Sequence, residues 1–150
     1  MDQDRPQDSA PQEMPSQTSK VASRSVAPLK EKYLHLLKLD AQALMQRLEE
    51  RKKAALEIFA LRRTRDHFPG LFETRYSQLS MQELSYFSID TMTTLHQFYQ
   101  IVEEMRWYLY RTEDMPGTVE ETLSRMHKRL EKIFSTLSLY LDAESTGELG

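Results

Sequence analysis

Residues 118–141 read TVEETLSRMHKRLEKIFSTLSLYL, and the apolar side chains fall on one line: Val119, Leu123, Met126, Leu130, Ile133, Leu137 and then Tyr140 or Leu141. Steps that alternate four and three keep these residues on one face of a helix, while nearly everything between them is polar. A strand would alternate every second residue, and a helix buried on all sides would be apolar all round. The stretch therefore predicts an amphipathic helix over about 118–142 with a narrow, coiled-coil-like seam that needs other helices to cover it. Met115-Pro116-Gly117 breaks the chain just before it, and Thr118-Val119-Glu120-Glu121 has the spacing of a capping box.

Working back from that break, a second helical pattern occupies about 80–112. It opens at Ser80-Met81-Gln82-Glu83, where the Ser80 hydroxyl can accept from the Glu83 N–H and the Glu83 carboxylate from the Ser80 N–H. Leu84, Phe87, Thr91, Leu95, Phe98, Val102, Met105 and Leu109 continue it. With its flanking aromatics the apolar arc covers roughly 200°, so this helix needs neighbours on two sides. Trp107 and Ile89 stand off that arc, among Thr93, His96, Gln100 and Glu104, and are candidate anchors for a protein partner.

A third pattern, earliest in the chain, runs over about 29–66 without Gly or Pro: Leu34, Leu37, Ala41, Leu44, Leu48, Ala55 and Phe59. A weaker second stripe of Leu36, Ala43, Ala54 and Leu61 lies nearly opposite, which makes Leu36 and Leu61 further contact candidates. Arg51, Lys52, Lys53, Arg62, Arg63 and Arg65 form a basic flank, within a segment holding ten Lys or Arg against six Asp or Glu. The three patterns together define an all-α fold: a three-helix antiparallel bundle whose last two helices form a hairpin.

Between the first and second helices, DHFPGLFETRY at 66–76 is too apolar for an ordinary loop and, through Leu79, too long for a bundle connection. A short helical turn over 70–78, begun at Pro69, would face Phe72, Tyr76 and Leu79 inward, with Phe68 and Leu71 completing a plug over the bundle end. The alternative is that Phe68, Leu71 and Phe72 are a partner-binding surface. At the chain's extremities, residues 1–28 carry Pro6, Pro11, Pro15 and Pro28 among Gln, Ser and Asp, as a disordered tail does. Residues 143–150 are short and acidic and are expected to fray.

The totals exclude more than they identify. The net charge of −3 argues against a protein that coats nucleic acid or anionic lipid. The absence of cysteine removes disulfides, thiolate catalysis and Cys-ligated zinc, and points to a reducing, cytoplasmic setting. No apolar run approaches the roughly 18 residues of a membrane span. There is no phosphate-binding glycine loop, dinucleotide fingerprint or nucleophile elbow, so neither catalysis nor a cofactor nor a metal ligand set is expected. Glu31 and His35 are four apart on a helix, as metal ligands can be, but read as a surface ion pair; His127, before Lys128 and Arg129, gives only a weak hint of phosphotransfer, so a small phosphotransfer or metal-binding bundle is a minor alternative. The expectation is a non-enzymatic protein-protein interaction module, an adaptor, structural subunit or regulator that can self-associate, to which eight adaptable methionines are suited. A nucleic-acid-associated regulator working through the basic flank is the alternative.

Overall fold

The computed structural model describes the backbone of residues 15–146, with side chains from residue 28 onward. Four α-helices follow in order: α1 (Pro15–Arg62), α2 (Met81–Leu84), α3 (Ile89–Arg111) and α4 (Pro116–Thr146). Short 3-10 turns occupy Pro69–Leu71 and Tyr76–Gln78, and there is no strand among the described residues. The fold is the expected all-α bundle of three long helices.

Several boundaries differ from the sequence expectation. The helical bounds of α1 reach back past Pro28 to Pro15, while the tail expected over 1–28 otherwise falls outside the residues described with side chains. At its other end α1 stops at Arg62 rather than near 66. Arg63 takes a left-handed φ of 55°, donating its N–H to the Phe59 carbonyl at 2.8 Å, which is how helices commonly terminate. The Ser80 capping box is present with both reciprocal bonds, but the helix it opens is the four-residue α2. A second N-cap, Ser88, whose hydroxyl accepts from the Thr91 N–H, starts α3 afresh. The box expected at Thr118 does not form: α4 begins two residues earlier, with Pro116 in the first helical position that suits its fixed φ, and Val119 already donates to the Met115 carbonyl.

The backbones of α3 and α4 pack closely, as do those of α1 and α4. Phe98 of α3 lies 6.0 Å from Phe134 of α4, and Glu104 pairs with Arg129, so α3 and α4 run antiparallel as the hairpin expected of them. Lys38 pairs with Asp142 and Lys52 meets His127, so α1 is also antiparallel to α4. It follows that α1 and α3 are parallel. The chain leaving α1 must therefore travel back along the whole bundle before α3 can start.

Residues 63–88 make that return. Phe68 packs 5.5 Å from the Phe59 ring, the Glu73 carbonyl accepts from Arg47, and the Arg75 N–H donates to Asp40 at 3.0 Å. Tyr76 stacks on Tyr99 at 4.2 Å and 3°, and Tyr86 reaches Tyr33 at 6.1 Å. Partners on α1 thus descend from 59 to 33 as the segment advances, which makes it a strap antiparallel to α1 that fills the space between α1 and α3. The inward apolar side and the turn at Pro69 agree with the sequence reading. Its placement does not: the segment lines the side of the bundle rather than plugging one end, because a plug could not bridge two parallel helices. Phe68, Leu71 and Phe72 are buried at 0%, 2% and 6% exposure, and so are core residues of this chain rather than partner contacts.

The core is continuous from strap to hairpin, and includes Leu44, Leu48, Leu95, Met105, Leu123 and Leu137. Two polar side chains knit it. Asp40 accepts from both the Arg75 N–H and the Tyr99 hydroxyl, at 3.0 and 2.7 Å; burial and that carboxylate push the Tyr99 phenol far up from its ordinary value. Glu144, in the segment expected to fray, is buried. It pairs with Lys30 at 2.8 Å and accepts from the Ser88 N–H, placing a carboxylate at the N-terminus of α3. This is why α4 stays ordered to Thr146 instead of ending near 142.

Candidate functional site

On the outer side of α3, Trp107 is 61% exposed and Tyr110 37%. Off-arc residues such as Trp107 stay outside because α3 already fills its inner arc with Phe98, Val102, Met105 and Leu109. The Arg111 guanidinium lies over the Trp107 ring at 5.0 Å, and that of Arg106 over the Tyr110 ring at 5.6 Å. Arg106 is also steadied by Glu103 at 3.3 Å. The result is a ridge near the C-terminal end of α3 in which each of the two rings carries one guanidinium over it.

The other candidate contact residues do not join this ridge. Ile89 is 76% exposed but opens α3, about 27 Å along the axis from Trp107. Leu61, 84% exposed, stands alone at the end of α1. Leu36 is half exposed beside a shallow groove that Tyr33, Asp40, Tyr76 and Leu79 line between α1 and the strap.

The basic flank on α1 is divided by the fold. Arg65 donates to the carbonyls of Leu109 and Thr112, capping the C-terminus of α3, and lies over the Phe59 ring at 5.1 Å. Lys52 turns inward to place Nζ 2.5 Å from His127 Nδ1, and burial lowers its pKa from the ordinary lysine value. Arg51, Lys53, Arg62 and Arg63 remain exposed. With Arg65 and Lys52 serving the bundle, four of the six residues of the basic flank are left to solvent.

Lys52 leads to a polar cluster at the α1–α4 contact. His127 is 4% exposed, and its Nε2 is buried without a hydrogen-bond partner, 3.9 Å from Glu49 Oε1. Burial, then the neighbouring Lys52 charge, lowers the His127 pKa, against the opposing influence of Glu131 and Glu49, so the imidazole is neutral at pH 7. One ligand atom each from Glu49, His127 and Glu131 lies within 4.8 Å of the others. The sequence could suggest half of this, since His127 and Glu131 are four apart on one helix. Glu49 is 78 residues away in the chain and carries no local signal. The Glu31–His35 pair that did attract notice is unremarkable in space: Glu31 accepts from Ser145, and His35 is exposed.

No helix among the described residues is long and apolar enough to cross a membrane. Comparison with known protein families, curated proteins and solved structures finds no match to this chain.

Proposed function

We propose that this chain is a non-enzymatic helical module for protein-protein interaction, an adaptor or regulatory subunit working in the cytoplasm, with the Trp107–Tyr110 ridge as its principal contact. The observation that carries the reading is Trp107: a tryptophan left largely in solvent on a closed bundle, with a guanidinium already stacked on it. Tryptophan and arginine are the residue types over-represented at binding hot spots. The ridge suits a partner segment that brings an apolar side chain to the rings and a carboxylate to Arg106 and Arg111. A second copy of this chain meets that description through its own exposed Leu and Glu side chains, so self-association is included. The absence of cysteine is in keeping with a reducing compartment.

Trp107→Ala tests this. Because the side chain is mostly in water, its loss should change stability by less than about 0.5 kcal/mol in urea titration. Capture of partner proteins from a lysate, or the concentration-dependent rise in mass seen by light scattering, should fall at least about tenfold, the effect of losing a hot spot of 1.4 kcal/mol or more. If the wild-type chain stays monomeric and captures nothing, or Trp107→Ala captures as much as wild type, the ridge is not a contact.

A further inference from the structure

We propose that Glu49, His127 and Glu131 form a binding site for a divalent transition metal of the zinc type, which clamps α1 to α4. The site is independent of the Trp107 ridge and lies on a different helix pair.

Three features converge on it. The first is chemistry: one imidazole nitrogen with two carboxylates is a common donor set for zinc and its neighbours, and leaves a fourth position for water. The second is placement, since the three donor atoms lie within 4.8 Å of one another. A metal with bonds of about 2.0–2.2 Å needs donors roughly 3–3.5 Å apart. Glu49 and Glu131 are exposed side chains on opposite helices, and rotation about their own bonds closes that difference without moving the backbone. The third is the orphaned nitrogen. His127 Nε2 is buried, has no hydrogen-bond partner, and is turned toward Glu49. A buried polar atom left unpaired is costly, and a metal ion at this position would satisfy it.

Lys52 gives the site its particular character. Metal on Nε2 requires the other ring nitrogen to carry the proton, and a ligating histidine ordinarily donates that proton to an acceptor. Here the group facing Nδ1 is the Lys52 amine, at 2.5 Å. Lys52 thus occupies the place beside the second ring nitrogen that the acceptor of a metal-bound histidine ordinarily takes.

The test is titration of the full chain with Zn²⁺ and with Co²⁺, followed by calorimetry, by the visible absorption of bound Co²⁺, and by thermal unfolding. One equivalent should bind, the midpoint of unfolding should rise, and Glu49→Gln and Glu131→Gln should each weaken binding at least about tenfold. Both substitutions are at exposed positions, so their metal-free unfolding should match wild type. Absence of one-to-one binding overturns the proposal. So does binding that Glu49→Gln and Glu131→Gln leave unchanged, which would place the ion on the exposed His35, His67 or His96 instead.

Discussion

Replacing Phe68 with Ala should destabilise the protein by about 3–5 kcal/mol, the usual cost of truncating a fully enclosed phenylalanine. Phe68 is 0% exposed and packs against Phe59 at the point where the strap turns back along α1. The loss goes beyond the transfer of one ring. The strap is held by few backbone hydrogen bonds, in two 3-10 turns and one turn of α-helix, so its order depends on side chains such as Phe68, Leu71, Phe72 and Tyr76. Urea titration measures the effect, with Leu61→Ala as the matched control. Leu61 is as apolar but 84% exposed, and its change should stay within about 0.5 kcal/mol. A Phe68→Ala protein as stable as wild type but unable to capture a partner would make the strap a binding loop.

Glu144→Gln should cost about 2 kcal/mol at neutral pH, the range for losing hydrogen bonds made by a charged group. Gln can still accept from the Ser88 N–H, but it gives up the ion pair to Lys30 and the favourable charge at the α3 N-terminus. Lys30 keeps a quarter of its side chain in water and relaxes there, which holds the cost below that of stranding a buried charge. Burial on its own would raise the Glu144 pKa; the bonds from Lys30, Ser88 and Thr91 together outweigh it, and the folded value lies below the ordinary 4.5. The folded state therefore holds this proton less tightly than the unfolded state. The contribution is fully present above about pH 4.5 and is lost as pH falls through the folded pKa. Stability measured against pH should show wild type and Glu144→Gln separated by a constant gap from pH 7 to about 5, closing only below it. His127, whose folded pKa is lowered, adds a separate decline common to both proteins that begins at about pH 6.5. A gap that closed already near pH 6 would mean that Glu144 titrates there and is not held ionised by its partners.

Much of the fold was legible in the sequence because periodicity reports which face of a helix is buried. Leu34, Leu44, Phe98, Leu123 and Leu137 are all in the core where their spacing put them. Periodicity does not report what lies against that face. The strap's inward side chains could be read, but its direction depends on α1 and α3 being parallel, a relation between residues with no local trace. The start of α3 was hidden for a different reason: Leu84 and Phe87 fall in register with the stripe that follows, so the break between α2 and Ser88 left the pattern intact. Of the candidate contact residues, exposure retains Trp107, Ile89, Leu36 and Leu61 and removes Phe68, Leu71 and Phe72. Glu49 and Glu144 escaped notice because a lone acidic residue on a helix is the commonest surface feature there is; each acquires meaning only from a side chain far along the chain.

The direction of the strap also bears on how the protein is made. Lys38 finds Asp142 and Glu31 finds Ser145, 104 and 114 residues later, so α1 emerges from the ribosome long before the helix that covers it. The next segment synthesised is the strap, and it lies back along α1 in the order in which it appears, Phe68 on Phe59 first and Tyr86 by Tyr33 last. The segment that covers part of the first helix's apolar surface is thus its own immediate continuation, made before α3 and α4.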